Sequence, residues 1–466
     1  MKNSVIRIVA FVAILAVCVY AAATVLSFKS ADNIYDVDNF YQQPRNSVDM
    51  LVLGTSHAYS NINTGTLWDE FGIASCIFAG SEQPMWNTYY YLKEALKYQK
   101  PQLIVLEAFG GTLDYEYSED IRVVQNTYGL KPGRNKIDAI KVSAPKEKWN
   151  DFVLEYTRYH SRYTDLDHED FGQVMPDKSD TECMGYVVLN NTKICEWEDY
   201  SYITETAELA PKSEQYYRQV IELAQLNDIP ICVVVAPYAG LSSTDQMKFN
   251  RMAQIAQEYG VQFANFNDYV ERMDVNYGTD AADYSHLNYR GTPKFTRYMA
   301  TWIQANYGIT DRRGDEAYDR YQENADKVFR LSYNDYIQDS YNLQEKIECF
   351  SNDTYSVRVS VEGNVDPEAE DTMMFLGMMG FTMDELAPSR PTQTGGANAS
   401  SDGKKGSTIA KEFNAGPDAA PIINNKAIKN GINVVVYDKE LDYTAAIWGI
   451  NFDEEYAICN GAKAGL

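Results

Sequence analysis

Two stretches far apart in the chain hold residue types that can do chemistry together. In "VDMLVLGTSHAYS", Val48 to Ser60, an apolar run from Met50 to Leu53 ends at Gly54 and delivers Thr55, Ser56 and His57. In "AADYSHLNYRGTPKFTRYMATWI", Asp283 stands three residues before His286, ahead of an amphipathic helical pattern. On a tight turn that spacing brings a carboxylate to imidazole Nδ1, which fixes the tautomer and stabilises the imidazolium. His286 is thereby suited to act as a general base, and locally it lacks only a nucleophile. Ser56 offers one, because it follows a strand and precedes a helical stretch whose N–H groups can face developing negative charge. The chemistry predicted is acyl transfer: Ser56 attacks a carbonyl, His286 takes its proton, and Asp283 holds His286 in place.

For these stretches to meet, a fold must carry both to one edge. From Val48 to Gly308 the pattern is strand then helix, repeated. Short apolar runs, "MLVLG", "ASCIFAG", "QLIVLEAF" and "IPICVVVAP", alternate with longer amphipathic stretches. A parallel sheet covered by helices is the economical architecture, so the fold class is α/β. Met252, Ile255, Ala256 and Tyr259 line one helix face, and Phe295, Tyr298, Met299, Trp302 and Ile303 line another. An insertion at about 113–212, rich in Tyr, Asp and Glu, interrupts the pattern and reads as a substrate-side elaboration or a lid over the sheet edge.

Residues 30–310 therefore form the α/β domain, and a charged helical stretch, 311–348, links it to a different alphabet. "YSVRVSVEG" alternates with period two and "GINVVVYDKELDYTAAIWGINFD" reads as strand, turn, strand, so residues 349–466 are expected to be a small all-β domain. Ala387 to Pro417, loaded with Gly, Ser, Pro, Asn and Lys, reads as one long loop.

Ile8 to Phe28 carries no charge, and 21 helical residues cover about 30 Å, the thickness of a bilayer's hydrocarbon core. Residues 1–29 thus read as a transmembrane anchor, with a cleaved signal peptide as the alternative at Ala21 to Ala23. Lys2 and Arg7 before the span favour a cytoplasmic N-terminus and an extracytoplasmic remainder. With 41 basic against 66 acidic residues and a formal charge of -25, the chain repels phosphate backbones, which excludes nucleic acid as a partner. The seven cysteines show no metal-ligand spacing, and no metal or cofactor is implied. Cys183 and Cys195 either pair in an oxidising exterior or remain two thiols.

The layout resembles the SGNH (GDSL-like) hydrolase superfamily, in which a nucleophile block follows the first strand and a DxxH block follows the last. That resemblance implies an SGNH-type, flavodoxin-like parallel sheet. It matches Ser56 to the nucleophile, Asp283 to the orienting acid and His286 to the base, and Gly80 in "FAGSEQPMW" to the glycine that completes the oxyanion hole with Ser56. "GTSH", "FAGSEQ", "KPQLIVLEAF" and "DYSHLNYRG" are most similar to membrane-anchored extracytoplasmic members, the polysaccharide O-acetyltransferases and the D-alanyl-lipoteichoic acid transfer proteins.

The sequence also departs from that pattern. GTSH stands for GDSL, and the superfamily's Asn after the third strand has no match in "LEAFGG", where Glu107 ends the strand. Ser81 or Gln83, beside Gly80, would then supply the missing donor. His57 either caps the following turn or contacts substrate, and His160 in "YTRYHSRY" either packs or grips a polyhydroxyl ligand.

The function implied is an extracytoplasmic serine O-acyltransferase or esterase on a cell-surface polysaccharide or teichoic-acid-like polymer. It would be anchored in the membrane and supplied by a membrane-bound O-acyltransferase. The alternative is an inactive carbohydrate-binding or scaffold subunit. The strand pair near Tyr443 and Trp448 is similar to the interleukin-like β-domain of some glycan-processing enzymes, which would make those two rings sugar contacts.

Overall fold

Apolar runs without internal polar residues become the middle of a sheet. β1 (Met50–Leu53), β3 (Leu103–Glu107) and β4 (Ile231–Val235) are buried at every residue, as strands covered on both faces must be. With β2 (Ser75–Ile77) and β5 (Gln262–Asn265) they form a parallel sheet in the order β2-β1-β3-β4-β5. The computed structural model describes residues 2–26, 34–153, 160–164, 166, 183–340, 342–363, 369–382, 386, 409–414, 428, 430–454 and 457–461. β5 is not among the four strands that the apolar runs predict. It is an edge strand whose first residue is exposed, so "QFAN" never needed a continuous apolar run.

This is the flavodoxin-like order, and its chain reverses direction across the sheet between β1 and β3. In open α/β sheets that switch point opens a crevice at the carboxyl ends of the strands. Gly54 to Ser56 and Glu107 to Phe109 lie there.

Helices cover both faces. α1 (Lys2–Leu26) opens the chain, and α2 (Ser56–Asn61) leaves β1 directly. On one face, Leu51, Leu53, Ile104, Leu106, Val233 and Val235 share a core with Tyr91 and Leu92 of α3 (Met85–Ala95) and Tyr217 and Ile221 of α4 (Pro211–Leu226). Phe249, Met252 and Ile255 of α5 (Ser243–Glu258) complete that core. α6 (Gly291–Tyr307) buries Phe295, Met299 and Ile303 and contacts α2. Tyr298 and Trp302, placed by periodicity on the same stripe, are only half-buried.

The insertion begins with three short helices around a small core of Val123, Val124, Ile140 and Phe152. Residues 165 and 167–182, including His168, lie outside the described residues. An extended strap then runs from Tyr186 to Ala210. Its backbone N–H groups at Val187, Lys193, Cys195 and Ala207 donate to the carbonyls of Tyr59, Ala281, Tyr277 and Met247 at 2.8 to 3.1 Å. Cys183 and Cys195 are both buried and form no disulfide.

The chain divides into two compact units, Met1–Phe329 and Arg330–Leu466. α7 (Asp319–Asp339) supplies Tyr321 and Ala325 to a cluster with Trp68, Ala74 and Met184 in the first unit, while its residues from Arg330 on belong to the second. The second unit is built on an antiparallel sheet, β10-β9-β8-β6-β7, from β6 (Tyr355–Glu362), β7 (Ile409–Phe413), β8 (Gly431–Asp438), β9 (Tyr443–Asn451) and β10 (Ala457–Asn460). Fully buried Asp438 accepts from Arg330, Asn334 and the N–H groups of Glu440 and Leu441 at 2.8 to 3.0 Å, which ties a hairpin turn to α7.

Two expectations fail against this second unit. Ile409–Phe413, inside the expected 387–417 loop, pairs with β6, because its alternating residues can extend a sheet edge; residues 387–408 and 415–417 lie outside the described residues. Trp448 is fully buried in the unit's core, so it is not a sugar platform; Tyr443 is half-buried and its hydroxyl accepts from Asn334.

α1 contains the one helix segment among the described residues that is long and apolar enough to cross a membrane, Val5–Ala22, with a mean hydropathy of 2.6 and no buried residue.

Gly54, where β1 turns into the crevice, leaves no room for a side chain. Its φ is +155°, and a Cβ there would lie 2.7 Å from Glu107 Cβ and 3.1 Å from Ala58 Cβ. Gly54→Ala is expected to cost about 2 kcal/mol or more in chemical denaturation; a cost below about 0.5 kcal/mol would show that β1 and β3 are not this closely packed.

Candidate active site

The turn after β1 is fixed from beneath. Thr55 caps α2: its Oγ1 accepts the His57 N–H at 3.2 Å and donates to Glu107 Oε2, also at 3.2 Å. Glu107, fully buried at the end of β3, also accepts the Phe109 N–H at 3.1 Å and the backbone N–H groups of Thr55 and Ala236. One carboxylate therefore binds together the carboxyl ends of β1, β3 and β4. Burial pushes its pKa up to about 7, against the lowering effect of those donors.

The second stretch arrives from across the sheet. Asp283 Oδ1 accepts the N–H groups of Ser285 and His286 at 2.7 and 2.9 Å, which folds the loop into a tight turn. Both carboxyl oxygens then reach His286 Nδ1, at 3.0 and 2.9 Å. Partial burial raises the Asp283 pKa, but the hydrogen bond and charge of His286 and the two N–H groups outweigh it, holding the carboxyl at about 2.

This loop is pinned to α2. The Leu287 N–H donates to Asn61 Oδ1 at 2.8 Å, and Thr292 Oγ1 donates to the Ser60 carbonyl at 3.3 Å. The rings of His57 and His286 lie 5.6 Å apart. Segments some 230 residues apart in sequence thus meet, and the residue after Ser56 touches the candidate base. With Nδ1 engaged by Asp283, the neutral imidazole carries its lone pair on Nε2. That atom is buried and has no hydrogen-bond partner among the described residues. Ser56, the first residue of α2, is half-exposed at the crevice.

His57 is a wall rather than an open group. Its ring stacks on Phe109 at 4.1 Å and meets Tyr238 edge-on at 4.7 Å. Burial, reinforced by nearby His286, holds its pKa well below the usual imidazole range, so the ring is neutral.

The Gly80 turn borders the same crevice. The Gly80 N–H donates to the Gly54 carbonyl at 3.3 Å, so as folded it is engaged, though over a long bond. Asn126 Oδ1 lies 2.1 Å from where a Gly80 Cβ would stand, which leaves glycine as the residue that fits. The Ser81 hydroxyl accepts from Arg122 at 2.8 Å. Gln83, expected to face substrate, is instead fully buried, and its Oε1 accepts from Thr88. His160 lies in a 3-10 turn, His160–Thr164, whose Arg162 donates to the Leu26 carbonyl at the end of α1; the His160 side chain is outside the described residues.

Sequence reasoning passed over Glu107 as an organiser and Phe109 and Tyr238 as walls. The available signal was a lone acid closing an apolar strand, "LIVLE", since a buried carboxylate requires several donors. Among the described residues, no group of three His, Cys, Asp or Glu side chains is placed to hold a metal.

No protein-family model and no curated protein matches the chain. Among solved structures it is similar to a candidate acylhydrolase from Bacteroides fragilis (12% identity, 60% of this chain and 100% of the other, TM-score 0.28). It is also similar to a GDSL-like lipase from Bacteroides thetaiotaomicron (12%, 58% and 96%, TM-score 0.26). A third is a gut microbial diltiazem-metabolizing enzyme (12%, 57% and 48%, TM-score 0.21). All three scores are low, and the chemistry of the site rests on its own geometry.

Glu107 has a pH signature. A carboxyl whose folded pKa is raised to about 7, from an ordinary value near 4.5, contributes stability below about pH 4.5 that is lost as pH rises through 7. Glu107→Gln is expected to flatten that part of the stability profile between pH 4.5 and 7.5 in denaturant titrations; an unchanged slope would contradict the assignment.

Proposed function

We propose that the first unit is an SGNH-type serine acyl hydrolase or acyltransferase, held at the outer face of a membrane by α1 and acting on acyl esters of a cell-surface polysaccharide. The observation that carries this reading is the Asp283–His286 pair, docked on the helix that Ser56 opens, with Nε2 buried and unpartnered among the described residues. In the proposed reaction Ser56 Oγ attacks the ester carbonyl as His286 Nε2 takes its proton. Asp283 stabilises the imidazolium that results. The oxyanion is received by the N–H groups of Ser56 and Gly80, and Gly80 must exchange its 3.3 Å bond to Gly54 for the stronger charged acceptor. His286 then returns the proton to the leaving alcohol, which departs and leaves an acyl-Ser56 ester.

The fate of that ester depends on which nucleophile reaches it. Water gives hydrolysis and a sugar hydroxyl gives transfer, with His286 again the base. Lys2 and Arg7 ahead of the apolar span favour an extracytoplasmic domain. Acyl-CoA does not cross a bilayer, so a transferase there would draw acyl groups from a membrane-bound O-acyltransferase.

A second reading, a non-catalytic carbohydrate-binding subunit, draws support from the engaged Gly80 N–H and from Glu107 standing where a donor amide would serve.

Ser56→Ala is expected to abolish both turnover of a chromogenic acetyl ester and labelling by a fluorophosphonate. Asp283→Asn should lower kcat roughly 1000-fold or more. Labelling that persists in the Ser56→Ala protein would overturn the assignment of the nucleophile. An intact protein that neither turns over esters nor takes the label would favour the second reading.

A further inference from the structure

Outside the crevice, one cavity combines aromatic rings with pre-ordered polar groups. It has a volume of about 320 Å³ and lies along β5 between α5 and α6, in the size range of small-molecule sites. We propose that this cleft binds an uncharged sugar residue of a polysaccharide.

Its apolar surface comes from Tyr269, Tyr298 and Trp302. All three are half-buried, the state of a ring with one side still open to a ligand. Tyr298 and Trp302 are four residues apart on α6, and buried Phe266 stands at 89° to each of them, at 6.1 and 6.0 Å. That support holds both rings in fixed orientations. Rings of this kind cover the C–H faces of a pyranose, while their hydroxyl and indole N–H groups stay available to its oxygens.

The polar side is a ladder of amides. Gln246 Nε2 donates to Asn250 Oδ1 at 3.1 Å, Asn265 Nδ2 to Gln246 Oε1 at 2.9 Å, and Asn267 Nδ2 to Asn265 Oδ1 at 2.9 Å. The ladder ends where the Tyr238 N–H donates to Asn267 Oδ1 at 3.0 Å, and Tyr238 is the ring packed against His57. Amides already locked together lose little freedom when a ligand arrives. The cleft also takes in Asn265 and the residues just after it, at the carboxyl end of β5, the same end of the sheet as Ser56.

Charge selects the ligand class. Asp268 is the lining's only carboxylate, and no Lys, Arg or His lines the cleft among the described residues. The cleft's own lining gives an anionic sugar no counter-charge, and Asp268 together with the chain's net charge of -25 would repel it. Beyond Tyr298 a second cavity is lined by Arg272, Lys294 and Arg297; Lys294 is engaged by Asp280 and Arg297 by Glu70, while Arg272 lies over the Tyr269 ring at 5.6 Å. An uncharged sugar avoids that cost and is met by the ring hydroxyls and indole N–H of Tyr269, Tyr298 and Trp302 and by the spare lone pairs of the engaged amides.

The cleft's role rests on the polysaccharide reading and narrows it, yet binding needs no turnover, so its failure and the failure of Ser56 catalysis are distinguishable. The test is affinity electrophoresis of the full-length protein in detergent, through gels containing uncharged glucan, mannan, galactan or N-acetylglucosamine polymers, with polygalacturonate as the anionic arm. Retention by at least one uncharged polymer, weakened tenfold or more by Trp302→Ala, is expected. Trp302→Phe, which keeps a ring in place, should stay within about threefold of the parent, which separates loss of the platform from loss of the fold. No retention by any uncharged polymer, tighter retention by polygalacturonate, equal retention of the Trp302→Ala protein, or equal losses in the Ala and Phe variants would each overturn the proposal.

Discussion

A single carboxylate without access to water holds the ends of three strands together. Glu107 takes hydrogen bonds from Thr55, Phe109 and Ala236, and through Thr55 it sets the first turn of the helix that Ser56 begins. Leaving such a group unpaired would be costly, because a buried charge without donors loses its hydration and gains nothing in return. The arrangement therefore works in both directions: the donors keep the carboxylate tolerable, and the carboxylate keeps the donors in register. Gly54 obeys the same constraint, since the strand that carries Ser56 passes too close to Glu107 for any side chain.

The candidate base is placed by an independent set of bonds. Asp283 folds its own turn and engages Nδ1, while Asn61 and Thr292 pin that turn to α2. Two rigid supports thus face each other across the switch point between β1 and β3. The strap from Tyr186 to Ala210 adds a third contact, bonding both to Tyr59 on the Ser56 side and to Ala281 on the His286 side. Catalytic geometry of this type requires tolerances well under 1 Å, and such tolerances come from neighbours locked by packing and hydrogen bonds.

How much of this was legible in the sequence depended on how local the signal was. The middle strands showed themselves because burial on both faces demands unbroken apolar runs, and Asp283–His286 showed itself because the partners are three residues apart. β5 did not, being an edge with polar ends, and neither did β7, hidden in a stretch dominated by loop residues. Glu107 could be seen as an acid at a strand end, but its four donors come from three separate strand ends, which no single stretch of sequence displays. Gln83 reads as a polar neighbour of Gly80, yet the fold turns it inward toward Thr88. Trp448 has the composition of a binding platform and the position of a core residue.

On the proposed reading, the two supports deliver covalent chemistry at one hydroxyl. Rapid quenching of the protein during turnover of an activated acetyl ester, with peptide mass spectrometry of the quenched sample, measures this directly. One acetyl group on the peptide that contains Ser56, gone when His286 is replaced by alanine, is the result expected. An acetyl group on a different residue, or steady turnover with no acyl-protein at any time, would contradict it.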